Sequence, residues 1–335
     1  MNRFAPQWFS RHLSFDRSCL KLAAVSLLAG LMVGVLGMAA RAQAADDPPG
    51  EKKIPAPLDI ELQTTDGLQM QATYYGSIQG KNAVPIIMLH GYKGSRADFA
   101  GLALAMQARG CAVIVPDLRG HGKSTSINRG GELVTIDPST LRKGDFELMV
   151  TQDLEAVKSY LMERNNAGEL NIEKLCVVGN DMGAMLAVKW SQYDWHWPQL
   201  PSTKQGQDVK AVVLISPPMN FHGIPINDSL GTPLLQTGLS VLIIAGEKNS
   251  KAMDEAKRIY NRLAPLRPKP TDDREVMDKQ DLFLSTVKAA SLQGPNILND
   301  KSILPQLTLV IGQFIEWRLV NKKFPWTDRK PALGQ

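Results

Sequence analysis

One glycine-flanked aspartate and five histidines bound the chemistry open to this chain. The aspartate is Asp181, in Val177-Val178-Gly179-Asn180-Asp181-Met182-Gly183, at a strand-to-helix junction. A carboxylate there can attack carbon or take a proton. Turnover near neutral pH then calls for a partner that titrates in that range, and histidine is the side chain that does so unperturbed. The histidines are His12, His90, His121, His196 and His222, and none follows His222. His222, a few residues past an apolar run, is the candidate base; its plain reading is a loop histidine in a Pro/Gly-rich connection. His90 and His121 read as structural parts of loops. Ser216 also follows an apolar run, but Pro217-Pro218 gives it no tight turn. No metal or cofactor is expected. The chain has no His-x-x-x-His and no Cys-x-x-Cys, and Asp272-Asp273 reads as a solvated turn. Trp195, His196 and Trp197 read as a helix end packed on the core.

The elements that must position these residues alternate. Asp59 to Gln63 and Gln69 to Tyr75 flank Asp66-Gly67, a hairpin signal. Apolar runs follow at Pro85 to Leu89, Cys111 to Val115, Leu175 to Val178, Ala211 to Ile215, Val241 to Ala245 and Leu282 to Val287. Helical spacing covers Asp98 to Arg109, Phe146 to Arg164, a segment after Gly183, Lys251 to Leu263 and Ser302 to Val320. Continuous β-branched runs separated by helices predict an α/β fold: a mostly parallel sheet flanked by helices. Sites in such sheets form beyond the carboxyl ends of the strands. Only Ser216 to Ser240 separates two of the central runs, so no large cap is expected there.

Charge narrows the partners. The formal net charge is +5. Residues 1–44 hold Arg3, Arg11, Arg17, Lys21 and Arg41 against Asp16. Removing them from totals of 38 basic and 33 acidic residues leaves 33 against 32. The basic excess therefore belongs mostly to the N-terminus, and a nucleic-acid partner is not expected. A basic start, an apolar run from Leu22 to Ala40 and Ala42-Gln43-Ala44 read as an export signal cleaved after Ala44. The alternative is an uncleaved anchor helix, the one expected route to a membrane. Residues 45–57 read as a proline-rich linker, 58–321 as one domain and 322–335 as a tail. Cys111 and Cys176 open buried runs and read as free thiols.

Three segments carry a family resemblance: Leu89-His90-Gly91-Tyr92, then Pro116-Asp117-Leu118-Arg119-Gly120-His121-Gly122-Lys123-Ser124, then Gly179-Asn180-Asp181-Met182-Gly183. Each follows a strand, and together they resemble the α/β-hydrolase fold, over roughly residues 58–320. The resemblance implies a nucleophile elbow with Asp181 where the family has serine, and Gly179 and Gly183 as its close-packing glycines. It implies an oxyanion hole from the backbone N–H groups of Met182 and Tyr92.

The other triad positions also depart from the family. Asn249, in Gly246-Glu247-Lys248-Asn249, takes the acid's place, and Gln293, in Ser291-Leu292-Gln293-Gly294, takes the histidine's. Glutamine cannot accept and return a proton near pH 7. The expectation is an exported, catalytically inactive member with a retained pocket for a small molecule or protein. An anion is disfavoured there by the Asp181 carboxylate. The alternative is a divergent hydrolase, with Asp181 as nucleophile or base and His222 as proton acceptor.

Overall fold

The computed structural model describes residues 53–198, 200, 204–269, 278–288 and 294–329. Residues 1–44, most of the 45–57 linker, Asp272-Asp273 and Gln293 lie outside them. No helix among the described residues is long and apolar enough to cross a membrane.

The strands are β1 (Leu58–Gln63), β2 (Leu68–Tyr75), β3 (Pro85–Leu89), β4 (Ala112–Pro116), β5 (Ser126–Arg129), β6 (Glu132–Thr135), β7 (Leu175–Asn180), β8 (Val209–Ile215), β9 (Asn220–Phe221), β10 (Ile224–Pro225), β11 (Ser240–Gly246) and β12 (Leu282–Val287). The main sheet runs β12-β11-β8-β7-β3-β4-β2, with β1 on β2 and the β5–β6 hairpin continuing from β2. From β4 to β12 every pairing is parallel; β1, β2 and the hairpin are antiparallel. The helices are α1 (Ala100–Ala108), α2 (Lys143–Leu148), α3 (Leu154–Asn166), α4 (Met182–His196), α5 (Asn227–Leu230), α6 (Ser250–Leu263) and α7 (Leu304–Ile315).

The apolar runs are continuous because each strand packs on both faces. Ile87, Leu89, Val177, Val212, Leu214 and Ile243 point into a core shared with α3, α4 and α6. Their alternating neighbours Ile86, Met88, Val178, Val213 and Ile244 point into a second core shared with α1 and α7. A strand with one wet face would alternate polar and apolar residues; these do not. Cys111 and Cys176 are buried free thiols in the second core, and burial pushes the Cys111 thiol up to about 12.

Three local differences from the sequence reading have physical causes. The helix expected over Phe146 to Arg164 starts earlier, at Lys143, and widens into a π turn at Met149–Asp153. That turn delivers buried Asp153 to Arg119, with Nη2–Oδ1 at 2.5 Å, and Arg119 also binds Asp66 at 2.7 Å. The β5–β6 hairpin was not expected. Its turn is Gly130-Gly131, both at positive φ, and all four β6 residues are exposed, so the strand has no buried face to write an apolar alternation into the sequence. The segment expected as a tail packs onto the body as far as Arg329. Asn171 Nδ2 donates to Phe324 O, Asn165 Nδ2 to Thr327 O and Asn166 Nδ2 to Arg329 O. The buried Arg329 guanidinium grips Asp208, whose carboxylate also meets Lys158 at 3.0 Å and Lys204 at 2.9 Å.

Candidate functional site

The site forms where β7 stops and α4 starts. Asp181 sits between them at φ 51° and ψ −114°, a left-handed conformation that L-residues rarely hold. Close packing imposes it. A Cβ on Gly179 would lie 2.2 Å from the Gly183 carbonyl oxygen, and one on Gly183 would lie 2.0 Å from the Leu89 carbonyl oxygen. Both glycines thus let backbones pass within side-chain distance. The turn lifts the Asp181 side chain above the carboxyl edge of the sheet, beside the loop that follows β3.

That loop is pinned by His90. The buried ring holds its Nδ1 proton toward Gly91 O at 2.8 Å, and Nε2 accepts the Leu118 N–H at 3.0 Å. Burial, the largest influence, lowers its pKa to about 3. His121 likewise lies buried, with Nδ1 at 2.9 Å from Arg119 O. Both rings thus bond to backbone groups of the loops that follow β3 and β4. A neutral buried histidine has a signed consequence. Below its ordinary value of 6.5 the unfolded chain takes up a proton that the folded chain refuses, so stability is full above that pH and declines as pH falls toward 3. Urea unfolding at pH 7.5 and pH 5 should differ by about 2 kcal/mol from His90 alone, since the slope approaches about 1.4 kcal/mol per pH unit only below 6.5. The His90→Gln variant should be less stable at pH 7 but show a shallower pH slope.

The two expected oxyanion donors face Asp181. Tyr92 N–H donates to Asp181 Oδ2 in a long bond of 3.4 Å, and the Met182 N–H also acts on the carboxylate. Both N–H groups are therefore turned on the protein's own carboxylate. Burial raises the Asp181 pKa, while these N–H groups and the charge of His222 oppose the rise. Asp181 combines disfavoured backbone with desolvated charge, so Asp181→Gly should stabilise the fold. Releasing the strain contributes about 1–3 kcal/mol, and glycine's extra unfolded-state entropy offsets about 0.5–1 kcal/mol of it. A thermal melt should show the gain at pH 7. The gain should shrink as pH falls through the raised carboxyl pKa, because protonation relieves the wild type.

The remaining expected residues are placed unequally. His222, at φ 47°, is exposed. Its ring stacks on Phe221 at 4.5 Å and stands 5.0 Å from the Tyr92 ring and 5.9 Å from Phe146. It is thus brought to the site's wall, but it makes no hydrogen bond or ion pair to Asp181. Asn249 is the N-cap of α6, its Oδ1 accepting the Ala252 N–H at 3.1 Å. The amide expected at the acid's place thus holds a helix end. Gln293 lies outside the described residues. Its neighbour Gly294 does return to the elbow: a Cβ there would lie 3.6 Å from Asp181 Oδ1.

Sequence reasoning missed the aromatic wall of Tyr92, Phe146 and Phe221, whose rings contact one another edge-on at 5.5–5.7 Å through Phe221. These residues come from three distant segments, and no local pattern joins them. It also missed a cleft of about 650 Å³ beside the elbow, lined by Phe146, Val150, Met185, Lys189, His196 and Ile224 among others. Asp181 is not in that lining. Trp195 anchors the end of α4 by donating its indole N–H to Val209 O at 2.8 Å.

Comparison with known proteins agrees with this architecture. An esterase of Pyrococcus furiosus matches with a TM-score of 0.55 and 16% identity, over 79% of this chain and 91% of that one. A protein of unknown function from Agrobacterium tumefaciens, described as a putative α/β hydrolase, matches with a TM-score of 0.53 and 15% identity, over 81% of this chain and all of that one. At these identities the likeness is one of fold. Two uncharacterized proteins from Mycobacterium tuberculosis strains are 29% identical over 75 residues, 22% of this chain. The match spans about a quarter of those relatives, 27% of their length. The family model for the alpha/beta hydrolase fold matches residues 84–302, more than half of the chain. With the elbow, the strand order and that match in hand, the chain belongs to the α/β-hydrolase fold family.

Proposed function

We propose that this chain is an exported α/β-hydrolase-fold protein that keeps a ligand pocket without turnover. The carrying observation is the Asp181 carboxylate lying against the N–H groups of Tyr92 and Met182. Those donors serve catalysis when they face an oxyanion that develops during reaction. Here they face a standing charge, which leaves less for a transition state to gain. Asn249 at the acid's place is engaged as a helix cap, and no described imidazole is hydrogen-bonded to Asp181. Export rests on the N-terminal pattern: basic residues, Leu22 to Ala40 and Ala42-Gln43-Ala44. The ligand is a small molecule or a protein, not a nucleic acid.

A second reading has its own observation. His222 stands against Tyr92, and its charge acts on Asp181. In a divergent hydrolase the Asp181 carboxylate would attack an electrophilic carbon, expelling halide or opening an epoxide C–O bond, to form an ester; water deprotonated by His222 would then cleave that ester, returning the carboxylate and releasing an alcohol.

Assays with chromogenic esters, epoxides and haloalkanes separate the two. Wild type, Asp181→Ala and His222→Ala are expected to be equally inactive. Turnover lost in Asp181→Ala overturns the non-catalytic reading, and its loss in His222→Ala as well identifies the base. Intact-mass measurement of protein recovered from expressing cells tests export. A chain beginning at Ala45 supports it; one retaining residues 1–44 supports the anchor.

A further inference from the structure

The cleft of about 650 Å³ along α4 falls within the size range of small-molecule sites, and Asp181 is not part of it. One wall is a single face of α4, on which Met185, Lys189, Gln192 and His196 recur at helical spacing. At ~1.5 Å per residue that stripe runs about 16 Å. The rest of the described lining comes from α2, from β10 and α5, and from the π turn at Met149–Asp153, which supplies Val150. The surface the cleft offers is mainly apolar.

One charge in this cleft is unmatched. Lys189 is half-buried, and among the described residues no carboxylate stands at ion-pair distance from its ammonium. Burial lowers its pKa, the Asp228 charge opposes that fall, and the Lys143 charge adds to it. Lys143 itself has a partner, Glu147 at 3.9 Å, and both are exposed. Asp228 is exposed as well, so water solvates its charge. Among the described lining residues, Lys189 is therefore the charge both withdrawn from water and lacking a direct partner. An anion at its ammonium would offset the burial and the repulsion from Lys143. A cation would meet the reverse conditions.

We infer that the cleft binds a small amphipathic carboxylate, its apolar chain lying along α4 against Phe146, Met185 and Ile224 and its carboxylate on the Lys189 ammonium. The expectation against an anion applied to the surroundings of Asp181, and Asp181 does not line this cleft. The inference goes beyond the reading of a pocket without turnover and stands whether or not Asp181 is active.

Isothermal titration of the full-length protein with sodium octanoate, sodium hexanoate, octan-1-ol and octylammonium chloride at pH 7.5 tests it. Octanoate should bind at least about fivefold more tightly than octanol, and octylammonium should bind most weakly. Hexanoate, two methylenes shorter, should bind about four- to fifteenfold more weakly than octanoate. Lys189→Met should weaken octanoate by about fivefold or more and leave octanol unchanged, whereas Lys189→Arg should hold octanoate within about threefold of the wild type. Gln192→Trp, at a half-buried position on α4, should fill the cleft and weaken octanoate and octanol alike. The inference is overturned if octanoate does not bind the wild type, or if octanoate and octanol bind it alike. It is also overturned if Lys189→Met leaves octanoate affinity intact, which would mean that the lysine only lays its stem on an apolar wall. Octylammonium binding in place of octanoate would overturn it, and so would binding unchanged in Gln192→Trp, which would put the ligand elsewhere. None of these outcomes bears on Asp181, whose part the ester assay decides.

Discussion

Asp208→Ala is expected to destabilise the protein by about 3–5 kcal/mol, the usual cost of removing one partner from a buried ion pair. The carboxylate is fully buried and meets Lys158, Lys204 and Arg329. Although burial opposes ionisation, these cations hold its pKa down at about 2. Alanine would leave them facing a gap. Lys158 would keep Asp194 at 2.5 Å, and Arg329 would keep Glu173 at 3.4 Å. Arg329 would nonetheless lose both of its bonds to one carboxylate, leaving the segment from Phe324 onward held by hydrogen bonds to neutral groups and by Glu173. Urea unfolding measures the loss, and limited proteolysis should show faster cleavage near Thr327. Arg329→Met should destabilise less, and the double variant should lose less than the two single losses combined, since the partners share one network. The pH sign follows from a depressed carboxyl. Its contribution is present above the unfolded value of 3.8 and disappears as pH falls toward 2.

Gly183→Ala should fail to give a stable fold, at a cost above about 4 kcal/mol. The methyl would meet the carbonyl oxygens of Leu89 at 2.0 Å and His90 at 2.8 Å. Both are backbone atoms at the end of β3, so no side-chain rotation relieves the clash. Either α4 or β3 must move, and either motion parts Asp181 from the Tyr92 N–H. Gly144→Ala is the control. Nothing lies within 4 Å of a Cβ there, near the start of α2. That variant should be neutral or stabilising by up to about 1 kcal/mol. Equal stability of the two variants, measured by thermal melts, would mean the crossing is not tight.

The parallel sheet was legible because buried strands are written as unbroken apolar runs, such as Pro85 to Leu89 and Val241 to Ala245. Gly179 and Gly183 were legible as an elbow because only close backbone approach explains their positions around Asp181. What was not legible depended on distant partners. The π turn at Met149–Asp153 looks helical in sequence, and its register shift makes sense only beside Arg119. Arg329 reads as one more tail cation until Asp208, far upstream, is placed beneath it. The ring contacts of His222 join the loop after β3, helix α2 and strand β9, so residue spacing carried no trace of them. Asn249, expected at the family's acid position, is seen as the N-cap of α6, bonded to Ala252.

The burial of Arg329 has a meaning for how the protein is made. A chain that emerges N-terminus first has Lys158, Lys204 and Asp208 in place long before Arg329 arrives. Until then, the pocket that receives Arg329 lacks a guanidinium and the groove for the closing segment stands open. A product that stops before Arg329 would retain the sheet and the elbow yet expose a charged seam around Asp208. Such a seam gives proteases a physical mark of a copy that lacks this segment.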